Sequence, residues 1–179
     1  RSMTPIPVVG VNIPLKEASK TPKKKHIGIL GTKATIKSKH LDERIKSDVP
    51  QDIFVTKFDG SAIMEMVEKG IFLKDNEYTH NTISRTLEGL KNTNLDVLVL
   101  SSTHLSFVRS NIISMYPSIK VIDPALNAVK EIRQFLKTNN NLRKSGQGRI
   151  SIIVNGDKNE FQELLKEMGL PGPVERYER

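Results

Sequence analysis

Short runs of apolar, mostly β-branched residues alternate along this chain with segments of helical spacing. Most of these runs are continuously apolar, which is typical of strands buried on both faces of a parallel sheet. Between the runs, apolar residues recur every three or four positions, as in Ile83, Leu87 and Leu90. This alternation predicts an α/β fold, a three-layer sandwich with a mostly parallel sheet and right-handed crossovers. The predicted strands are 7–11, 26–30, 52–58, 95–100, 119–122 and 149–154.

A change of pattern after Asp123 predicts a boundary between two parts of the chain. Asp123 is predicted to cap a helix over 124–138, which is followed by a polar loop rich in turn-forming residues. One strand and one amphipathic helix complete the chain. We predict a domain at 1–123 and a C-terminal helix–strand–helix segment at 124–179. Because one strand and one helix cannot close a core, we expect that strand to join the earlier strands or to exchange between copies in a homodimer.

The composition argues against several classes of site. The 179 residues include no cysteine, which excludes disulfides and thiolate metal ligands, and the four histidines show no paired spacing, so we predict no metal site. The net charge is +8, with a lysine run at Lys20 and 23–25, but aromatic residues are only 5%. We therefore interpret the run as a solvated loop and expect no nucleic-acid partner. The sequence shows no membrane span and no signal-peptide core, so we expect a soluble cytoplasmic protein.

The junction at the end of the predicted strand 95–100 is the clearest candidate site. That strand leads directly into Ser101-Ser102-Thr103-His104, and α/β proteins bind ligands at the carboxyl ends of their strands. The hydroxyl of Ser102 needs a neighbouring base to act chemically, and His104 can be that base; otherwise Ser102 simply satisfies backbone groups at the strand end. Thr103 can donate to a substrate carboxylate, cap the following helix, or do both.

A second candidate turn follows the predicted strand 26–30. Gly31 to Thr35 open a helix, so their amides and the hydroxyls of Thr32 and Thr35 can cradle an anion. Helix capping and a tight turn at Gly31 explain the same residues equally well. The remaining histidines, which we predict to lie at the surface or at strand edges, are His26, His40 and His80.

Several of these segments, in this order, resemble the second half of the glutamate racemase family, in the Asp/Glu racemase superfamily. Residues 98–104 resemble the family's second signature, in which a strand ends in Gly-Cys-Thr-His; here Ser101 and Ser102 stand in place of Gly-Cys. The resemblance covers essentially the whole chain. Its other segments are 6–11, 27–32, 34–38, 121–125, 149–157 and 174–176.

This resemblance implies a cofactor-independent interconversion of L- and D-glutamate for peptidoglycan synthesis. In the family, two cysteines act as acid and base, because a thiolate is accessible near neutral pH. The resemblance places Ser102 at the second catalytic cysteine, beside a catalytic His104. It also makes Glu68, on the predicted helix 62–69, a possible acid–base helper, although a solvated residue beside Lys69 accounts for it too. The substrate-binding residues that it implies are Thr32, Thr35, Thr103 and His104.

We expect this chain by itself not to racemise glutamate. The family's first half, with an Asp-Ser and a Cys-Asn-Thr that carries the first catalytic cysteine, has no counterpart in the 179 residues. A serine hydroxyl is also far less acidic than a thiol. The alternative is a non-catalytic anion-binding, amino-acid-binding or interaction protein built on the same scaffold. The expected partners are glutamate and a second copy of the chain.

Overall fold

A computed structural model describes residues 6–20, 22–146, 148, 150–170 and 172–177, without the side chains of Lys91 and Asn92. The chain divides into two compact units, 1–140 and 141–179. This division differs from the predicted boundary after Asp123. The helix that follows Asp123 is grouped with the first unit, in which its residues Pro124 and Ala128 are buried.

A four-stranded parallel sheet forms the centre of the first unit. Its spatial order is β2-β1-β3-β4, so the chain winds outward from β1 to β2 and then crosses to the other side of β1. The direction of winding therefore reverses between β1 and β3. In open α/β sheets, ligands bind outside the carboxyl ends of the strands at such a switch point. The strands are β1 (His26–Gly31), β2 (Phe54–Asp59), β3 (Val97–Leu100) and β4 (Lys120–Ile122).

Helices cover both faces of this sheet, which confirms the predicted three-layer α/β fold. Ile29 and Val99 point into one apolar cluster, and their neighbours Leu30 and Leu100 point into the other. α1 and α3 close the first cluster, and α4, α6 and α7 close the second. The helices of the unit are α1 (Leu15–Ala18), α2 (Lys33–Ile36), α3 (Lys39–Asp48), α4 (Ser61–Glu68), α5 (Ile71–Lys74), α6 (Asn76–Thr86), α7 (Arg109–Met115) and α8 (Pro124–Thr138), with 3₁₀ helices at Glu88–Asn92 and Thr103–Val108.

The predicted strand at 7–11 is wrong, because these residues have no regular secondary structure. Pro7 has no N–H to contribute to a strand ladder. The side chains of Val8 and Val11 are each 50% exposed, so they add little to the apolar core. The predicted helix start at Asp123 is confirmed: its Oδ1 accepts hydrogen bonds from the Ala125 N–H and the Ser106 hydroxyl.

The second unit is a small strand–helix–strand motif. β5 (Ile152–Val154) pairs in parallel with β6 (Val174–Arg176), and α9 (Lys158–Glu167) connects them. The sequence predicted β5 but no strand in the region of β6. Because β5 pairs with β6 in the same chain and in its own sheet, the expected addition to the larger sheet is wrong. The same pairing contradicts the expected strand exchange.

An ion pair at the end of α3 gives the first unit a pH-dependent element of stability. Arg44 Nη2 donates to Asp48 Oδ2 at 2.9 Å and to the Ile13 carbonyl at 3.1 Å. The pair thereby joins α3 to the segment that precedes α1. The hydrogen bond from Arg44 lowers the pKa of Asp48, against the opposing effect of its burial.

We predict that Asp48→Asn lowers the free energy of unfolding more at pH 7 than at pH 3. A carboxylate with a lowered pKa in the folded state stabilises the fold above its unfolded-state pKa of about 3.9, and this stabilisation is lost as pH falls through the folded-state pKa. Urea unfolding followed by circular dichroism at both pH values measures the difference. Glu43→Gln, an exposed change on the same helix, is the control, and equal losses for Asp48→Asn at the two pH values would contradict the prediction.

Candidate active site

The chain turns sharply where β3 ends, and Ser102 caps the segment that follows. Ser102 has an extended backbone, and its Oγ accepts a hydrogen bond from the His104 N–H at 3.3 Å. The capping role considered for Thr103 therefore belongs to Ser102, and Thr103 itself is exposed. The helix expected after Thr103 starts at Thr103 itself as the 3₁₀ helix and continues as α7 from Arg109.

The imidazole of His104 lies between a hydroxyl and a carboxylate. Its Nδ1 is 3.4 Å from Ser102 Oγ, and its Nε2 is 3.7 Å from Glu68 Oε1. Glu68 is the last residue of α4, which packs against the 3₁₀ helix that contains His104. The ion pair of the neighbouring Lys69 is with Glu65, at 2.6 Å. The structure thus places Glu68 beside His104, although its side chain remains 60% exposed.

The turn after β1 is organised by two threonine hydroxyls. Thr32 caps α2 by accepting a hydrogen bond from the Thr35 N–H at 3.1 Å, and the two hydroxyl oxygens are 2.9 Å apart. The Lys33 N–H donates to Ser61 Oγ at 3.1 Å, which ties this turn to the start of α4. The predicted capping is therefore present, whereas the anion cradle at Thr32 and Thr35 remains a prediction.

Close approach of β1 and β3 brings the two turns to the same edge of the sheet. Leu30 pairs with Leu100, and the Ser101 N–H donates to the Leu30 carbonyl at 2.9 Å. A Cβ atom on Gly31 would lie 2.0 Å from Ser101 Oγ, so only glycine fits there without a shift. Since the next residues are Thr32 and Ser102, both turns meet at the switch point of the sheet.

Sequence reasoning missed an ionised carboxylate at the same edge. Asp59 ends β2, and its Oδ1 accepts hydrogen bonds from the hydroxyl and the N–H of Ser61 at 2.6 and 3.0 Å. These bonds lower the pKa of Asp59, and the charges of Lys33 and Lys37 lower it further. The Asp-Gly-Ser that follows the predicted strand 52–58 was the signal for this turn.

Other features lie away from these residues. His26 contacts the Thr56 hydroxyl at the start of β1, and His40 and His80 are exposed. A cavity of about 330 Å³ is lined by residues that include Arg44 and Asp48, and by none of the candidate site residues. Among the described residues, no cluster of three or more histidine or carboxylate side chains is arranged to hold a metal ion. Within the same residues, no helix is long and apolar enough to cross a membrane.

The fold and the strand-end edge define an α/β protein with a candidate ligand site at the switch point of its sheet. Residues 1–132 match the family model described as Asp/Glu/Hydantoin racemase, and the chain belongs to this family. The resemblance seen in the sequence is therefore confirmed at the level of the family.

Individual relatives and solved structures are glutamate racemases. The enzyme of a Sulfurihydrogenibium species is 31% identical over 169 residues, which are 94% of this chain and 62% of that protein. The crystal structure of a glutamate racemase isoform from Bacillus anthracis has a TM-score of 0.81 at 23% identity, and covers 99% of this chain and 66% of that one. The Escherichia coli enzyme, solved with L-glutamate and the activator UDP-MurNAc-Ala, has a TM-score of 0.79 at 16% identity, over 98% and 66% of the two chains. This chain thus spans about two thirds or less of the length of these relatives.

We predict that Gly31→Ala destabilises the protein by about 1–3 kcal/mol, because the new methyl group overpacks against the Ser101 side chain. In a Ser101→Gly background the same change should cost less, since the atoms that it would meet are gone. Thermal unfolding of the two single variants and the double variant measures this coupling. Additive losses would show that the contact with Ser101 does not set the requirement for glycine.

Proposed function

We propose that this chain supplies the histidine-bearing side of a glutamate-binding cleft of the glutamate racemase type, and that it does not racemise glutamate unaided. The observation that carries the proposal is the meeting of the two turns at the switch point, with His104 between Ser102 and Glu68. Membership of the Asp/Glu/Hydantoin racemase family supports the substrate class. The relatives named glutamate racemase support glutamate within that class.

The groups at this edge suit an amino-acid carboxylate. Thr103 is exposed beside Ser102 and His104, and the hydroxyls of Thr32 and Thr35 lie at the end of the neighbouring strand. The hydrogen bonds from Ser61 are the main cause of the lowered pKa of Asp59. The positive charges of Lys33 and Lys37, which also lie near this edge, add to this lowering of the pKa. Fixed hydrogen-bond donors and nearby positive charge stabilise a bound carboxylate. They also stabilise the negative charge that develops when the α-proton is removed.

The same groups do not complete a racemase. Inversion at the α-carbon requires a base on one face and an acid on the other, each with a pKa within reach of neutral pH. His104 can exchange a proton on one face, but the hydroxyl of Ser102 is too weak an acid to replace a thiol. The second face has no counterpart among the side chains described at this edge.

Binding without turnover is the second candidate function. It is favoured by the hydrogen bond from the His104 N–H to Ser102 Oγ, because this bond gives the hydroxyl a structural role in the backbone turn. The two functions share the ligand and differ in whether a partner polypeptide completes the chemistry.

We predict that L- and D-glutamate bind this chain with a dissociation constant of about 1 mM or weaker, because only one side of the cleft is present; that affinity corresponds to about 4 kcal/mol. Titration of ¹⁵N-labelled protein should shift the amide resonances of 32–35 and 102–104. His104→Ala should reduce these shifts, whereas His80→Ala, at an exposed histidine of α6, should not.

The same samples in D₂O test the absence of turnover. Proton NMR should show no exchange of the glutamate α-proton with solvent. Exchange by the unmodified chain alone would overturn the inactivity. Glutamate that leaves both groups of amides unshifted would overturn the proposed cleft.

A further inference from the structure

The contacts of His104 match a second kind of chemistry, in which a serine is the nucleophile. We propose that this chain also carries an acyl-transfer site: Ser102 is the nucleophile, His104 is its general base, and Glu68 is a positioning residue that orients the imidazole. The substrates are small activated carboxylic esters. This activity goes beyond glutamate binding and requires no second catalytic face.

Ser102, His104 and Glu68 follow one another in the way that a nucleophile, its base and the group that orients the base do. Such a site is recognised by a nucleophile and a base within hydrogen-bond reach and by a third group that orients the base. Ser102 Oγ is 3.4 Å from His104 Nδ1, and Glu68 Oε1 is 3.7 Å from His104 Nε2. Contacts of this kind are commonly longer in the unliganded protein than in the reacting complex.

In this proposal, the carboxylate of Glu68 selects the nitrogen of the His104 ring that acts as the base. An ionised Glu68 accepts only, so its place beside Nε2 favours the tautomer with the proton on that nitrogen. Nδ1 then keeps its lone pair and faces the hydroxyl of Ser102. Since Ser102 Oγ accepts its other contact, from the His104 N–H, the hydroxyl proton is available to Nδ1.

The backbone around Ser102 supplies donors for the charge that acyl transfer creates. In the described part of the chain, the N–H groups of Ser102 and Thr103 take part in none of the backbone hydrogen bonds of the turns, loops and caps. Both groups belong to the turn that carries the nucleophile. Unpaired backbone donors next to an attacking oxygen are what stabilises the oxyanion of a tetrahedral intermediate. The turn also lies at the switch point, where the sheet edge is open to a ligand.

The reaction is balanced by the groups present and by water. Ser102 Oγ forms a bond to the ester carbonyl carbon, and its proton passes to His104 Nδ1. The carbon–oxygen bond to the alcohol breaks, and the alcohol leaves with that proton. Water then attacks the acyl-serine with His104 as base, which releases the carboxylic acid and restores the serine hydroxyl.

The experiment is to label the chain with diisopropyl fluorophosphate, which modifies activated serines, and to follow hydrolysis of p-nitrophenyl acetate. Mass spectrometry of a digest should place the label on Ser102. Ser102→Ala should lose the label and the hydrolysis, and Ser102→Asn should lose both while keeping a side chain that caps the turn. Ser110→Ala, at an exposed serine of α7, is the matched control and should label like the unmodified chain.

Variants of the other two groups separate their roles. His104→Ala should slow labelling about 100-fold, the lower end of the effect of a general base. Glu68→Gln should lower kcat for the ester with KM unchanged, Glu68→Asp should restore part of kcat, and Glu77→Gln, at an exposed carboxylate of α6, should have no effect. A label on another residue, no label at all, or labelling insensitive to His104→Ala would each overturn the proposal. Glutamate-dependent amide shifts of the unmodified chain report on the proposed cleft without any ester or label, so failure of one proposal leaves the other testable.

Discussion

The pairing of β1 with β3 is the constraint on which the rest of this protein depends. The two strands are far apart in sequence, yet they lie side by side in the sheet, with Leu30 opposite Leu100. Their approach is so close at the carboxyl end that the space of a Gly31 side chain is taken by Ser101. Because the winding of the chain reverses between these strands, the segments that follow the two turns pack on opposite faces of the sheet and leave its edge open for a ligand. The candidate site is thus a consequence of strand order.

A single hydroxyl at this edge has two partners. Ser102 Oγ accepts from the His104 N–H and lies beside His104 Nδ1, so the cap of the 3₁₀ helix and the contact with the imidazole involve the same oxygen. A capped turn has fixed backbone dihedrals, which hold the side chain in place. The structural interpretation of Ser102 and the chemical one are therefore compatible, since the first positions the atom that the second would use.

The sequence predicted those parts of the fold that depend on local patterns. Four of the predicted strands became β1 to β4, and the Asp123-Pro124 pair marked the start of α8. β6 was missed because two of its three residues are charged and only Val174 is buried. The strand at 7–11 was predicted from its valines, although Pro7 interrupts the donors that a ladder needs.

The candidate site was predictable only in part, because only some of its contacts are between residues that are close in the sequence. Ser102, Thr103 and His104 follow one strand, so their common position could be inferred from the chain alone. The distance between Glu68 and His104 depends on how α4 packs against the 3₁₀ helix. No periodic pattern in the sequence predicts that packing. The Asp-Gly-Ser sequence indicates a turn at Asp59, but the hydrogen bonds from Ser61 that chiefly lower its pKa are visible only in the structure.

A serine at position 102 supports a different proton chemistry from the one that a cysteine would support. A thiol can lose a proton to solvent near neutral pH and take one from a carbon acid, so it serves either face of an α-carbon. A hydroxyl keeps its proton until a neighbouring base removes it while a bond to carbon forms. With His104 beside it, Ser102 therefore has the arrangement of a nucleophile and lacks the acidity of a racemase residue. In the proposed acyl-transfer site, the hydroxyl of Ser102 therefore suits attack at a carbonyl carbon better than abstraction of a proton from an α-carbon.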